Sequence, residues 1–106
     1  MIRHIVLVRF NPELPEEEIS DIWRELCEID GKVPGLSAIR AGRSESPEKI
    51  ERGYMHGFTV DFTDWDALAA YQDHPDHKKL GARLVANAVG GLDGILVFDL
   101  PFDPSA

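Results

Sequence analysis

Two short segments of this chain carry the same pattern, and that pattern restricts what they can become. Residues 4–10 read HIVLVRF and residues 56–62 read HGFTVDF. At every second position each has a histidine followed by three apolar residues: His4, Val6, Val8 and Phe10 in one, His56, Phe58, Val60 and Phe62 in the other. Side chains alternate across a strand, so each segment predicts a half-buried strand whose apolar row is headed by a histidine. The opposite rows hold Ile5, Leu7 and Arg9 in the first segment and, with Met55 just before it, Thr59 in the second, and they are partly apolar too.

The rest of the chain falls between and after these strands. Asn11-Pro12 ends the first. Residues 15–30 predict a helix: Pro15 suits its first turn, Glu16, Glu17 and Glu18 suit its positive end, and Ile19, Ile22, Trp23, Leu26 and Ile29 form one stripe. Gly31 stops it, and Pro34-Gly35 turns the chain. Residues 36–43 predict a weaker second strand, 44–53 a polar loop and 54–62 the third strand. Thr63 or Asp64 caps a helix that carries Leu68 and Tyr71. His74-Pro75 interrupts that helix, because a residue before proline is pushed out of helical conformation. Pro75 restarts it at a first helical position, and it runs through Leu80, Leu84 and Val85 to about residue 88. After Gly90-Gly91, residues 95–100 predict the last strand. The reading is one domain over 1–100 with a loose tail at 101–106.

The order is therefore β-α-β-β-α-β. It predicts an α+β domain of ferredoxin-like topology: a four-stranded antiparallel sheet with helices on one face. Right-handed crossovers are expected to set the first and third strands side by side and parallel. His4 and His56 then lie together at one end of the sheet. The other sheet face, bearing Ile5, Leu7, Met55 and Thr59, would leave an apolar patch in water, which predicts a homodimer packed through it.

Composition narrows the function. At 106 residues the chain suits one domain with a modest core. A formal net charge of −8 argues against nucleic acid and against an anionic membrane surface as partners. Cys27 is the only cysteine, so neither an intrachain disulfide nor a thiolate zinc cluster is available. Beside Leu26 on a helix, Cys27 reads as a buried, inert thiol. The opening MIRHIVLVRFNPE is too short in its apolar run for a secretory leader, and no stretch is long enough to span a membrane. The expected location is cytoplasmic.

Chemistry concentrates in the four histidines and in YQDHPDH, where Tyr71, His74 and His77 are spaced three apart across the proline break. His77 falls in the first turn of the restarted helix, where the dipole favours neutral imidazole, the form a general base needs. Tyr71 has the chemistry to donate to a carbonyl or enolate oxygen. His74 reads either as a pocket residue or as the cap of the restarted helix. Asp99 reads either as a carboxylate that orients a pocket histidine or as an edge charge. Arg40 and Arg43 read as surface charge. Three imidazoles can bind zinc, but the spacing matches no metal signature, and no glycine-rich phosphate loop is present.

With HIVLVRF, then PGL, GYMH and AYQDHPDH, the chain resembles the stress-responsive A/B barrel (Dabb) domain family across nearly its whole length. The resemblance implies a ferredoxin-like protomer that dimerises into an α+β barrel. It is also similar at these residues to a plant polyketide cyclase of that family. That likeness implies proton abstraction beside a carbonyl without a cofactor or metal. His77 would be the base, Tyr71 would hold the substrate carbonyl, and Asp99 would support the base. His4, His56 and His74 would line a pocket for a small carbonyl or polyketide-like ligand. Other members of the family imply the alternative, a non-catalytic, stress-linked dimer with a binding or structural role.

Overall fold

The computed structural model describes residues 1–105. The elements are β1 (Ile2–Val8), α1 (Glu16–Cys27), β2 (Leu36–Arg43), β3 (His56–Phe62), α2 (Trp65–Asp73), α3 (Pro75–Asn87), a 3-10 turn at Gly91–Gly94, and β4 (Ile95–Pro101). The four strands form one sheet in the order β2-β3-β1-β4, with every neighbouring pair antiparallel. This is the ferredoxin-like α+β fold expected from the element order.

One expectation is corrected. β1 and β3 are neighbours, but they run antiparallel, with His4 opposite Val60 and Val8 opposite His56. The β1-α1-β2 crossover makes β1 and β2 run the same way. The β2–β3 connection then reverses the chain, so β3, lying between them, opposes both. His4 and His56 therefore sit at opposite ends of the sheet, roughly 13 Å apart along the strands at about 3.3 Å per residue.

The alternation itself holds. His4, Val6, Val8, His56, Phe58, Val60 and Phe62 are all buried beneath the helices. Ile19, Ile22, Leu26 and Ile29 of the α1 stripe meet them from above, with Leu68, Tyr71, Leu80 and Leu84 from α2 and α3. Phe10 lies beyond β1 and makes an isolated bridge to Ala88. α1 ends at Cys27, and residues 28–30 continue as tight turns, with Ile29 N–H on the Leu26 carbonyl and Asp30 N–H on that of Cys27. Cys27 is exposed, contrary to the buried thiol expected, because one helical step past Leu26 rotates it off the apolar stripe. The Pro34-Gly35 turn abuts α2: Gly35 has φ +88°, and a Cβ there would sit 2.7 Å from both Ala67 Cβ and Thr63 Oγ1. β4 runs one residue past the expected end, and Phe102 N–H donates to the Met1 carbonyl at 2.9 Å. Among the described residues no helix is long and apolar enough to cross a membrane.

Candidate functional site

β1, β4, α2 and α3 bring four of the expected residues together. His4 pairs in register with Asp99 across the β1–β4 ladder, and its Nδ1 lies 2.6 Å from Asp99 Oδ1. A carboxylate accepts, so the proton belongs on Nδ1 and the other ring nitrogen, Nε2, stays free of that bond. The buried His4 ring stands edge-on to Phe58, Phe62 and Tyr71, with the Tyr71 centroid 5.8 Å away. Tyr71 projects from the last turns of α2 and is fully buried between His4 and His77, its ring 4.4 Å from that of His77. Its hydroxyl has no hydrogen-bond partner among the described residues. Burial pushes the phenol well above its ordinary range, so it is a neutral O–H donor at any physiological pH.

The α2–α3 break aims His77. Asp64 starts α2 by accepting from Ala67 N–H, and His74 ends it in an extended conformation (ψ 136°). Pro75 then opens α3. His74 serves as the α3 cap, its Nδ1 accepting from Asp76 N–H at 3.1 Å. That bond occupies the ring, so of the two readings of His74 the cap is what the geometry displays. His77 Nδ1 lies 3.1 Å from the Gln72 carbonyl, which can only accept. The proton is thereby fixed on Nδ1, and the Nε2 lone pair is available. Burial pulls the His77 imidazole below its ordinary range; the bond to Gln72 partly opposes this, and the nearby His4 adds to the lowering.

The expected partnership of Asp99 with His77 is not the one observed, since the Asp99 carboxylate is on His4. His56 is likewise separate. At the far end of the sheet its Nε2 lies 3.0 and 3.2 Å from the two carboxylate oxygens of Glu16, and its ring stands edge-on to Phe10. Arg43 donates to the same Glu16 at 3.1 Å. A separate cleft of about 280 Å³ opens there, between Leu14, Glu16, Met55 and His56.

Sequence reasoning missed two polar partners. Glu16 was read only as a charge suited to a helix start. Asp61 was unremarked, yet on the outer sheet face it is buried and gripped by Arg3 through Nε and Nη2 at 2.9 and 3.0 Å. The Arg3 bonds hold its carboxyl below the usual carboxylate range. Arg40 also reaches it, at 3.5 Å, so Arg40 and Arg43 both meet carboxylates of the chain itself. An acid placed two residues from an apolar outer-face position was the only available signal for Asp61.

An antiparallel ferredoxin-like sheet, three helices on one face and a buried imidazole–phenol cluster between the layers define a small α+β domain. The chain belongs to the stress responsive A/B barrel domain (Dabb) family, whose model matches residues 2–102. Among its relatives, the stress-response A/B barrel domain-containing protein HS1 of Arabidopsis thaliana is 26% identical over 92% of this chain and 86% of its own. Olivetolic acid cyclase of Cannabis sativa is 21% identical over 76% of this chain and 79% of its own. A solved structure from a Jannaschia species, described as a dimeric ferredoxin-like protein of unknown function, superposes with a TM-score of 0.88. It is 36% identical and covers 95% of this chain and 98% of its own.

Proposed function

We propose that the chain is an enzyme acting on small carbonyl compounds, with His77 as general base and Tyr71 as the donor that receives developing negative charge. His77 Nε2 takes a proton from a carbon next to a carbonyl. The C–H electron pair passes into the carbonyl, and the resulting enolate oxygen accepts the Tyr71 O–H. His4, held by Asp99, forms the opposite wall. Cyclisation, isomerisation or cleavage then depends on what the enolate carbon meets. The observation that carries this reading is the Tyr71 hydroxyl, buried without a partner among the described residues beside a half-buried imidazole whose proton is fixed on the far nitrogen. An orphaned buried donor costs stability, and a ligand oxygen would satisfy it. The likeness to olivetolic acid cyclase supports this direction. Turnover of β-dicarbonyl thioesters by wild type and His77→Ala tests it, and equal rates would remove His77 from the chemistry.

One observation favours a second reading, a non-catalytic dimer with a binding or structural role: His4 and Tyr71 are 4% and 0% exposed. On that reading the imidazoles are core side chains, and no β-dicarbonyl ligand raises the melting temperature of the wild type.

On either reading we infer a homodimer formed through the outer sheet face, on which Ile5, Leu7 and Thr59 lie, with Met55 just before β3. Leu7, Leu96, Phe98 and Leu100 are exposed there, and the Jannaschia relative is described as dimeric. The exposed Cys27 suits a reducing, cytoplasmic setting. The functional unit is the domain over 1–100.

A further inference from the structure

The two helices that meet at the proline break are started by different chemistry. α2 begins at Asp64, a carboxylate that accepts from Ala67 N–H at 2.8 Å. α3 begins at His74, whose Nδ1 accepts from Asp76 N–H at 3.1 Å. A carboxylate accepts throughout the neutral pH range. An imidazole accepts only while it is neutral, because both ring nitrogens of the cation are donors. Pro75 has no N–H to offer, so the Asp76 amide is the first donor of α3, and His74 is its side-chain cap. The His74 side chain is 27% exposed, so protons reach it from water.

The same corner aims the base. The bond from His77 Nδ1–H to the Gln72 carbonyl runs from α3 back to α2, so it forms only while the two helices keep their relative set. His74 is the joint between them. Its backbone N–H is on the Tyr71 carbonyl and its own carbonyl takes Lys78 N–H, both at 3.1 Å. His77 cannot undo this corner by its own titration, since a protonated His77 still donates from Nδ1 to Gln72.

We propose that His74 is a positioning residue: its neutral imidazole holds the first turn of α3, and with it His77, in working geometry, and its protonation releases both. The proposal rests on the reading of His77 as the base and adds a regulation of that site. Protonating His74 places an N–H where the acceptor was, facing Asp76 N–H, and a positive charge at the positive end of the helix. The cation has a better partner in the Asp76 carboxylate, 4.0 Å from Nδ1. Lys32 of the α1–β2 connection already holds that carboxylate at 2.8 Å. The ring therefore turns from backbone to carboxylate and competes with Lys32, and the cap and the Lys32 tie weaken together. The other charges at this corner are Glu25 on α1, Glu28 just after it and Lys79 on α3, which line a small cleft with Lys32 and Asp76. Glu25 is bound by Arg83, and Asp73 is the chain neighbour of His74 in α2.

Amide hydrogen exchange on the folded protein tests the cap without any substrate. From about pH 8 to about pH 5, the range in which imidazoles change charge, the protection factor of the wild-type Asp76 amide is expected to fall about tenfold, the fold-change that one N-cap is worth. His74→Asn and His74→Ser keep an acceptor that does not titrate, and the fall is expected to vanish in both. A wild-type value that stays within about twofold, or an equal fall in the variants, overturns the proposal. Turnover of β-dicarbonyl thioesters supplies the second readout. At about pH 8, His74→Ala should lower kcat by roughly tenfold or more, because a misplaced base reacts poorly, and His74→Asn should recover most of the loss. On the acid side the wild-type rate should fall with the steepness of two protons, and that of His74→Asn with the steepness of one, from His77 alone. A two-proton limb that survives in His74→Asn overturns the link from His74 to His77. A wild type without turnover overturns the base reading beneath, while the exchange result separately decides the cap.

Discussion

The two ends of the interlayer begin from the same sequence element, a histidine heading a row of three apolar residues, and finish with different chemistry. At one end His56 is tied to a carboxylate: both Glu16 oxygens are within 3.2 Å of its Nε2, and Arg43 donates to the same Glu16. At the other end His4 is held by one carboxylate, and beside it a phenol has no partner, and a second imidazole's Nε2 has none, among the described residues. A closed ion cluster clamps β3 and β2 to the start of α1. An unfinished hydrogen-bond set is what a ligand completes. The residue type carries none of this difference; the neighbours supplied by the fold carry all of it.

The comparison can be broken at several points. The largest expected effect is at the His77 end: His77→Ala should lower turnover by roughly 10²–10⁴-fold, measured as kcat on β-dicarbonyl thioesters. Tyr71→Phe should lower it by about 10²–10³-fold, the usual cost of one lost oxyanion donor. The same change should stabilise the protein by about 1–3 kcal/mol in urea melts, because it deletes a buried hydroxyl with no partner. A destabilised Tyr71→Phe would mean that the hydroxyl is satisfied, and the contrast between the ends would collapse. At the His56 end, His56→Ala should cost about 1–3 kcal/mol by breaking the Glu16–His56–Arg43 cluster, with the ligand-induced melting shift preserved. The smallest effect is in pH dependence. The folded state holds the His77 imidazole below its unfolded value, so between those two values the unfolded chain binds more protons. Stability should therefore fall as pH drops below about 6.5, and His77→Asn should flatten that slope. The acid limb of a pH–rate profile should likewise lie below the ordinary imidazole value.

Much of the fold was legible because its signals are local. The alternation of β1 and β3, the α1 stripe and the His74-Pro75 break each depend on a few adjacent residues, and each is found where local physics puts it. Strand direction was not legible in that way. It depends on how a crossover and a hairpin combine, and no residue in β1 or β3 records it. The error moved His56 to the wrong end and left His4, Tyr71 and His77 where they belong, since these three share a face whichever way β3 runs. The Asp99–His4 pair was readable only in part: a carboxylate inside an edge strand was visible, but its partner is fixed by the β1–β4 register. Cys27 went astray through a single helical step.

The hydrogen bond between Phe102 N–H and the Met1 carbonyl has a topological consequence. Residues 1 and 102 are adjacent in space, while the segment 44–55 between β2 and β3 is a long polar connection far from the His4 cluster. A short linker across the first junction and a cut in the second would renumber the chain without moving any strand. The reordered polypeptide would start at β3 and bring α2, α3, β4 and β1 into one unbroken stretch. Every side chain of the imidazole–phenol cluster would then come from one contiguous half of the sequence.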